Sequence, residues 1–288
     1  MATLWAWAKP TPYDHSPIDH TWVTDFDNRA TPYPDINAVK AASANYWYCW
    51  GSFHRVGTPP AAPDGFLGER GGDIAMAECL CSSNEKSAAT KPSCGTIERY
   101  GIDGVCHQLA NQVLWATGTP TSPPLTVSRA RGYHTSTFFY GTYGQKHAAW
   151  AARIARCVPP DKGALPVMSI SRENDEFVAH AAAVLGVPSG PSSGSEAKLE
   201  QLLIIREAAQ SALQSAGLEP PMDPSPSHVQ SLNAIHHKYL HDAARILENS
   251  EFERIFGFPK SSIDDVQLVS PEAIAPDETT PPHTGATG

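Results

Sequence analysis

Cys106 is the residue whose surroundings best suit it to chemistry. It follows Gly104 and Val105, and Val105, Leu109, Val113 and Leu114 then recur at helical spacing before Gly118. The pattern predicts a helix with the sulfur in its first turn and Gly118 in the place of a C-terminal cap. A thiol is a good nucleophile at neutral pH only when its pKa is lowered, and the unpaired N–H groups and partial positive charge of a helix N-terminus do this. The same N–H groups can receive the oxyanion of a tetrahedral intermediate, so one location would supply both the activated sulfur and the stabilised transition state. Gly104 would let a substrate approach. The competing expectation is one more buried thiol, because free cysteine is among the most often buried residue types.

Two other groups of residues suggest a metal and then fall short. His237 and His241 lie one turn apart on a predicted helix, yet no Glu follows His237 to complete H-E-x-x-H. With His236, Lys238 and Asp242 they read as an exposed polar helix face. Cys79, Cys81 and Cys94 form a C-x-C with a third cysteine, but the usual second pair is missing, so a polar loop is the reading. No G-x-G-x-x-G, Walker-type GK[ST] or G-x-S-x-G is present. No cofactor or metal is expected.

The elements that must position Cys106 are legible in outline. Thr3 to Ala8, His20 to Phe26 and the aromatic run Asn45 to Phe53 read as three strands. The proline-rich TPYPD and GTPPAAPDG and the glycine-rich GERGGD read as turns between them. After the Cys106 helix, Leu125 to Ser128 and Tyr133 to Tyr140 read as strands, and an alanine-rich helix covers about Gln145 to Arg156. Ser171, with Glu173 and Asn174, opens a helix through Phe177 to Leu185 that stops at GVPSG. PSGPSSGSE reads as a linker. Two amphipathic segments follow, Glu196 to Ala216 and Ser227 to Asn249, as an antiparallel hairpin packed on the main body or on a partner, including a second copy of the chain. The residues from about Ser270 have the composition of a disordered tail.

Composition narrows the partners. The net charge is -9 with no run of Lys or Arg, so nothing offers a footprint to a phosphate backbone or an anionic membrane surface. No stretch is long and apolar enough for a bilayer span, and the start, broken by Pro10 and Pro12, does not read as a signal peptide. Six cysteines in 288 residues are too sparse for a disulfide scaffold. Free thiols and a cytoplasmic location are the expectation.

The segment GVCHQLANQVLWATGTP resembles the cysteine-helix motif of the papain-like superfamily, in particular transglutaminase-like and NlpC/P60-like proteins. The resemblance implies an α+β papain-like domain, a cysteine helix packed on a small antiparallel sheet, over residues 1–160. A helical extension over 161–260 and a tail over 261–288 complete the expected organisation. It also implies a histidine on a neighbouring strand to take the thiol proton and a polar residue to orient that ring. Asp19-His20-Thr21-Trp22-Val23 is similar to the superfamily's histidine strand, in the circularly permuted order in which that strand precedes the cysteine. His54, at the end of NYWYCWGSFH, stands where the orienting residue belongs. His134 in GYHTSTFFYG is the rival base, in the unpermuted order. His107 points about 100° around the helix from Cys106 and reads as a supporting or surface residue. The implied activity is that of a cysteine amidohydrolase, peptidase or acyltransferase working on a small-molecule or peptide acyl substrate through a Cys106 thioester. A non-catalytic interaction protein and a metal-dependent enzyme are the alternatives.

Overall fold

A computed structural model describes residues 2–10, 16–25, 27, 65–80, 95–119, 121–157, 175–187, 194–216 and 226–269. The expected third strand, Asn45 to Phe53, and His54 lie outside them, as do Ser171, Glu173 and Asn174. Among the described residues the fold is α+β, with one three-stranded antiparallel sheet and eight α-helices. The strands are β1 (Ala2–Pro10), β2 (Asp19–Thr24) and β3 (Phe66–Gly72), in the order β2-β1-β3. Trp7 faces Trp22 and Lys9 faces His20 across the β1–β2 pair.

β3 corrects the sequence reading, which took GERGGD for a turn. Its glycines answer to close packing, since a Cβ on Gly72 would lie 3.0 Å from Leu4 Cδ1 and 3.2 Å from the Ala116 carbonyl oxygen. The helix that follows, α1 (Ile74–Leu80), was not anticipated. Asp73 opens it, its carboxylate accepting from the Met76 N–H at 3.1 Å.

The Cys106 helix is α2 (Cys106–Leu114), continued by a 3₁₀ turn (Trp115–Thr117). Gly118 ends it in an extended conformation rather than the left-handed one expected of a cap. The Tyr133 to Tyr140 segment is a helix, α3 (Tyr133–Tyr140), where strand propensity predicted a strand. Tertiary context overrides the β-branched and aromatic composition. Gly132 and Gly141 bracket it with φ of 71° and 73°, the Thr137 hydroxyl donates to the His134 carbonyl, and Ser136 Oγ lies 2.8 Å from the Tyr133 carbonyl oxygen. Leu125 to Ser128 is not a strand either, because its N–H groups go to side chains: Leu125 to Thr117 Oγ1 at 2.8 Å and Val127 to Asn111 Oδ1 at 3.0 Å.

The later helices follow the expected order, α4 (His147–Cys157), α5 (Glu176–Leu185), α6 (Gly194–Ser215) and α7 (Pro226–Ile246), and a further helix, α8 (Asn249–Phe256), was not anticipated. The cap of α5 is Asp175, which accepts from the Phe177 N–H, rather than Ser171. The α6–α7 hairpin forms, and its Leu202, Leu203, Leu213, Leu232 and Leu240 are buried within the chain itself. Helix α3 lies at the centre of this helical layer, with Phe138 edge-on to Phe177 at 5.2 Å and Phe256 at 5.4 Å. Packing continues past residue 260, where Ile263, Val266, Leu268 and Val269 are all buried. One apolar cluster joins Trp7, Trp22 and Cys106 to Phe138, Leu202 and Phe256, so the helical layer shares a core with the strands.

The cysteine expectation needs one correction. Cys79 of α1 and Cys157 of α4 form a disulfide, their Cα atoms 5.8 Å apart where the two helices pack. Cys79 is thereby spoken for as a metal ligand, and free thiols are not the rule throughout. The bond closes a separation of 78 residues, so reduction or Cys79→Ser should lower unfolding stability by about 4 kcal/mol. An unchanged urea midpoint under reducing conditions would contradict this. No described helix is long and apolar enough to cross a membrane.

Candidate functional site

The first turn of α2 docks against the Asp19-His20-Thr21 segment of β2. Local sequence explains how the turn is built. Val105, extended at φ -127°, offers no side-chain cap, and Gln108 takes its place by accepting the Val105 N–H at 3.1 Å. Gly104 is required by close packing, since a Cβ there would lie 2.6 Å from Ile97 Cδ1 and 3.0 Å from Gln108 Cβ. Its role is that contact rather than substrate access. Asp103, fully buried just ahead of it, fixes the preceding turn. It accepts from the Arg99 N–H at 2.9 Å and the Arg99 guanidinium at 2.8 Å, and lies 3.1 Å from Lys146 Nζ. Burial works to raise its pKa, but Arg99 and Lys146 outweigh it and hold the carboxyl below its ordinary value. Asp103→Ala should leave these cations without their buried counter-charge and cost about 3 kcal/mol in urea unfolding. A midpoint that does not move would contradict that role.

Cys106 is 5% exposed. Its thiol points at the Asp19 carbonyl oxygen, 3.9 Å away, a long and weak contact. Burial pushes the thiol pKa up, against the pull of the Thr21 N–H and hydroxyl, the Tyr100 hydroxyl and the His107 N–H. The resting sulfur is therefore a protonated thiol, and the helix terminus alone does not activate it. His20 occupies the strand position between the two residues that touch the sulfur and is 3% exposed. Its ring stacks on Trp22, centroids 6.1 Å apart, on the strand face that alternates with that of Thr21.

His107 is fully buried, not a surface residue. Its Nε2 lies 3.0 Å from the Asp19 carbonyl oxygen, which can only accept, so Nε2 carries the proton. Its Nδ1 lies 2.7 Å from Ser136 Oγ, and burial pulls the pKa down to about 4, so at neutral pH Nδ1 is the acceptor of the Ser136 hydroxyl. The other polar side chains of α2 bind loops. Gln108, Asn111 and Gln112 donate to the carbonyls of Gly141, Thr142 and Tyr143 at 2.9, 2.8 and 2.7 Å. This buried amide stripe is readable in the sequence only as i, i+3, i+4 spacing, and it was missed, as were Thr21 and Tyr100.

His134 is held elsewhere. It stacks on His180 of α5, ring centroids 3.6 Å apart, and burial first, then His180 and His107, lower its pKa to about 4. His236 is fully buried against Tyr140 rather than on an exposed face, and His237 and His241 do not converge on a metal. Nε2 of His237 meets the Val266 carbonyl oxygen at 2.7 Å and Nε2 of His241 meets Asp264 at 2.9 Å, which fastens the 260–269 segment to α7. Among the described residues no group of three or more His, Cys, Asp or Glu is placed to hold a metal. Comparison of the chain with family models, curated proteins and solved structures gave no match.

Proposed function

We propose that the protein is a cysteine-dependent amidohydrolase, peptidase or acyltransferase of papain-like type, with Cys106 as nucleophile and His20 as base. The observation that carries the reading is the docking of α2 on β2, which brings the first residue of the cysteine helix against the two neighbours of His20 although 85 residues separate Cys106 from Thr21 (106 − 21). Because burial keeps the resting thiol protonated, His20 takes the proton as sulfur attacks the substrate carbonyl, rather than holding a preformed thiolate. Attack forms the carbon–sulfur bond and places the negative charge on the carbonyl oxygen, where first-turn N–H groups of α2 would receive it. Collapse expels the leaving group, protonated by the His20 imidazolium, and leaves a Cys106 thioester. Water or an amine then attacks the thioester, giving its proton to His20 and releasing the thiol. The role of His54 as orienting residue falls outside the described residues and is part of the proposal.

One observation favours a second reading, a non-catalytic protein with α2 as its core helix: every residue of α2 is buried, the thiol among them. Incubation with activated acyl esters, followed by intact mass and peptide mapping, separates the two. The enzyme reading expects an acyl adduct on Cys106 that hydroxylamine removes and that Cys106→Ala lacks. No adduct on the wild type, or one that persists in Cys106→Ala, supports the core-helix reading.

A further inference from the structure

His107 adjoins the nucleophile, yet its pKa near 4 makes it too weak a base for neutral pH. Its two bonds assign it other work. The Asp19 carbonyl that accepts from Nε2–H at 3.0 Å is the same oxygen that the Cys106 thiol faces at 3.9 Å. One β2 carbonyl therefore ties the segment carrying His20 to the helix carrying Cys106. On the far side of the ring, Ser136 of α3 fixes the tautomer by giving its hydroxyl proton to Nδ1 at 2.7 Å, and Gln108 donates to the same hydroxyl oxygen at 3.3 Å. Asp19 is also held from its other groups, its N–H donating to the Arg131 carbonyl at 3.0 Å and its carboxylate accepting from Arg131 Nε at 2.8 Å.

Resting on the cysteine-enzyme reading, we infer that His107 is a positioning residue whose Nε2–H clamps the Asp19 carbonyl and so sets His20 and Thr21 in register with the Cys106 sulfur. Phe in its place keeps the volume and loses the donor. Gln keeps an amide N–H that reaches the same carbonyl. Ser136→Ala removes only the group that fixes the tautomer.

The test is the pH profile of iodoacetamide alkylation at Cys106 in the full chain, with peptide mapping and a melting curve for each variant, alongside His20→Ala. With the clamp lost, His107→Phe should slow alkylation at pH 7 by about ten-fold or more and move its inflection upward, because small misplacements of reacting groups carry large rate penalties. His107→Gln should restore most of the rate whether or not its melting temperature recovers. A wild-type profile that depends on His20 but is unchanged in His107→Phe overturns the inference and leaves the enzyme reading standing. A wild-type profile that does not depend on His20 overturns both. Should His107→Phe not fold, Ser136→Ala decides: a slowed, upward-shifted profile supports the clamp and an unchanged one overturns it.

Discussion

Acidification from about pH 6.5 to about pH 4 is expected to remove on the order of 5 kcal/mol of unfolding free energy. His107 and His236 are fully buried, and burial lowers their pKa values from 6.5 to about 4 and about 3. In this window the unfolded chain binds protons at both residues while the native protein stays neutral there. The stability they provide is thus complete above the unfolded pKa and lost as the pH falls toward the folded values. Each ring is committed to partners that suit its neutral form: His107 to Asp19 and Ser136, His236 to Tyr140 Oη at 2.7 Å. Glu176 acts with the opposite sign, since burial raises its carboxyl and favours the fold on acidification, but His134, also lowered to about 4, adds to the loss. Asp103, held below the ordinary carboxylate value, adds a further loss at the acid end. Urea titrations at pH 7 and pH 4 measure the difference, and equal stabilities at the two would contradict the assignment of these rings as buried and neutral.

Arg206→Ala should cost about 3–5 kcal/mol, because it leaves a buried carboxylate unpaired and uncaps a buried helix end. Arg206 of α6 donates to the carbonyls of Phe138 and Thr137 at 3.0 Å each and pairs with Asp175 at 2.6 Å. Both are last-turn carbonyls of α3, where helical partners run out; that of Thr137 also accepts from the Gly141 N–H at 2.8 Å. The cation sits where the helix dipole is negative, and both charges are close to fully buried, so solvent screens the pair little. The same helix carries Ser136, which fixes the His107 tautomer. Chemical denaturation measures the loss, and a variant within about 1 kcal/mol of wild type would contradict the pair's role.

Much of this architecture was legible in the sequence, and the exceptions have physical causes. β1, β2, α2, α4 and the α6–α7 hairpin each have one dominant periodicity, and each forms near its expected bounds. β3 was hidden because its glycines signal turns by composition, whereas in the fold they admit Leu4 and the Ala116 carbonyl. Helix α3 was hidden because its Thr, Ser and aromatic content favours a strand in isolation, while its surroundings supply a capping Arg206 and, for Ser136, the His107 ring, which no local pattern announces. In the candidate site, Cys106 and the Asp19-His20-Thr21 segment were both marked by residue type, and the structure sets them side by side. The burial of the thiol was not marked, and it decides how the sulfur must be activated. Nor was the clamp through His107, since its donor, its acceptor and its tautomer-fixing partner come from three separate elements.

The most direct measurement of the central claim is the pH dependence of Cys106 alkylation in the wild type and in His20→Ala. If His20 is the base, the wild-type inflection lies below that of an ordinary thiol, and His20→Ala lowers the rate at pH 7 by about 100-fold while driving the inflection upward. If Cys106 is only a core thiol, its inflection lies above the ordinary 9.0, where burial alone puts it, and His20→Ala leaves the profile unchanged.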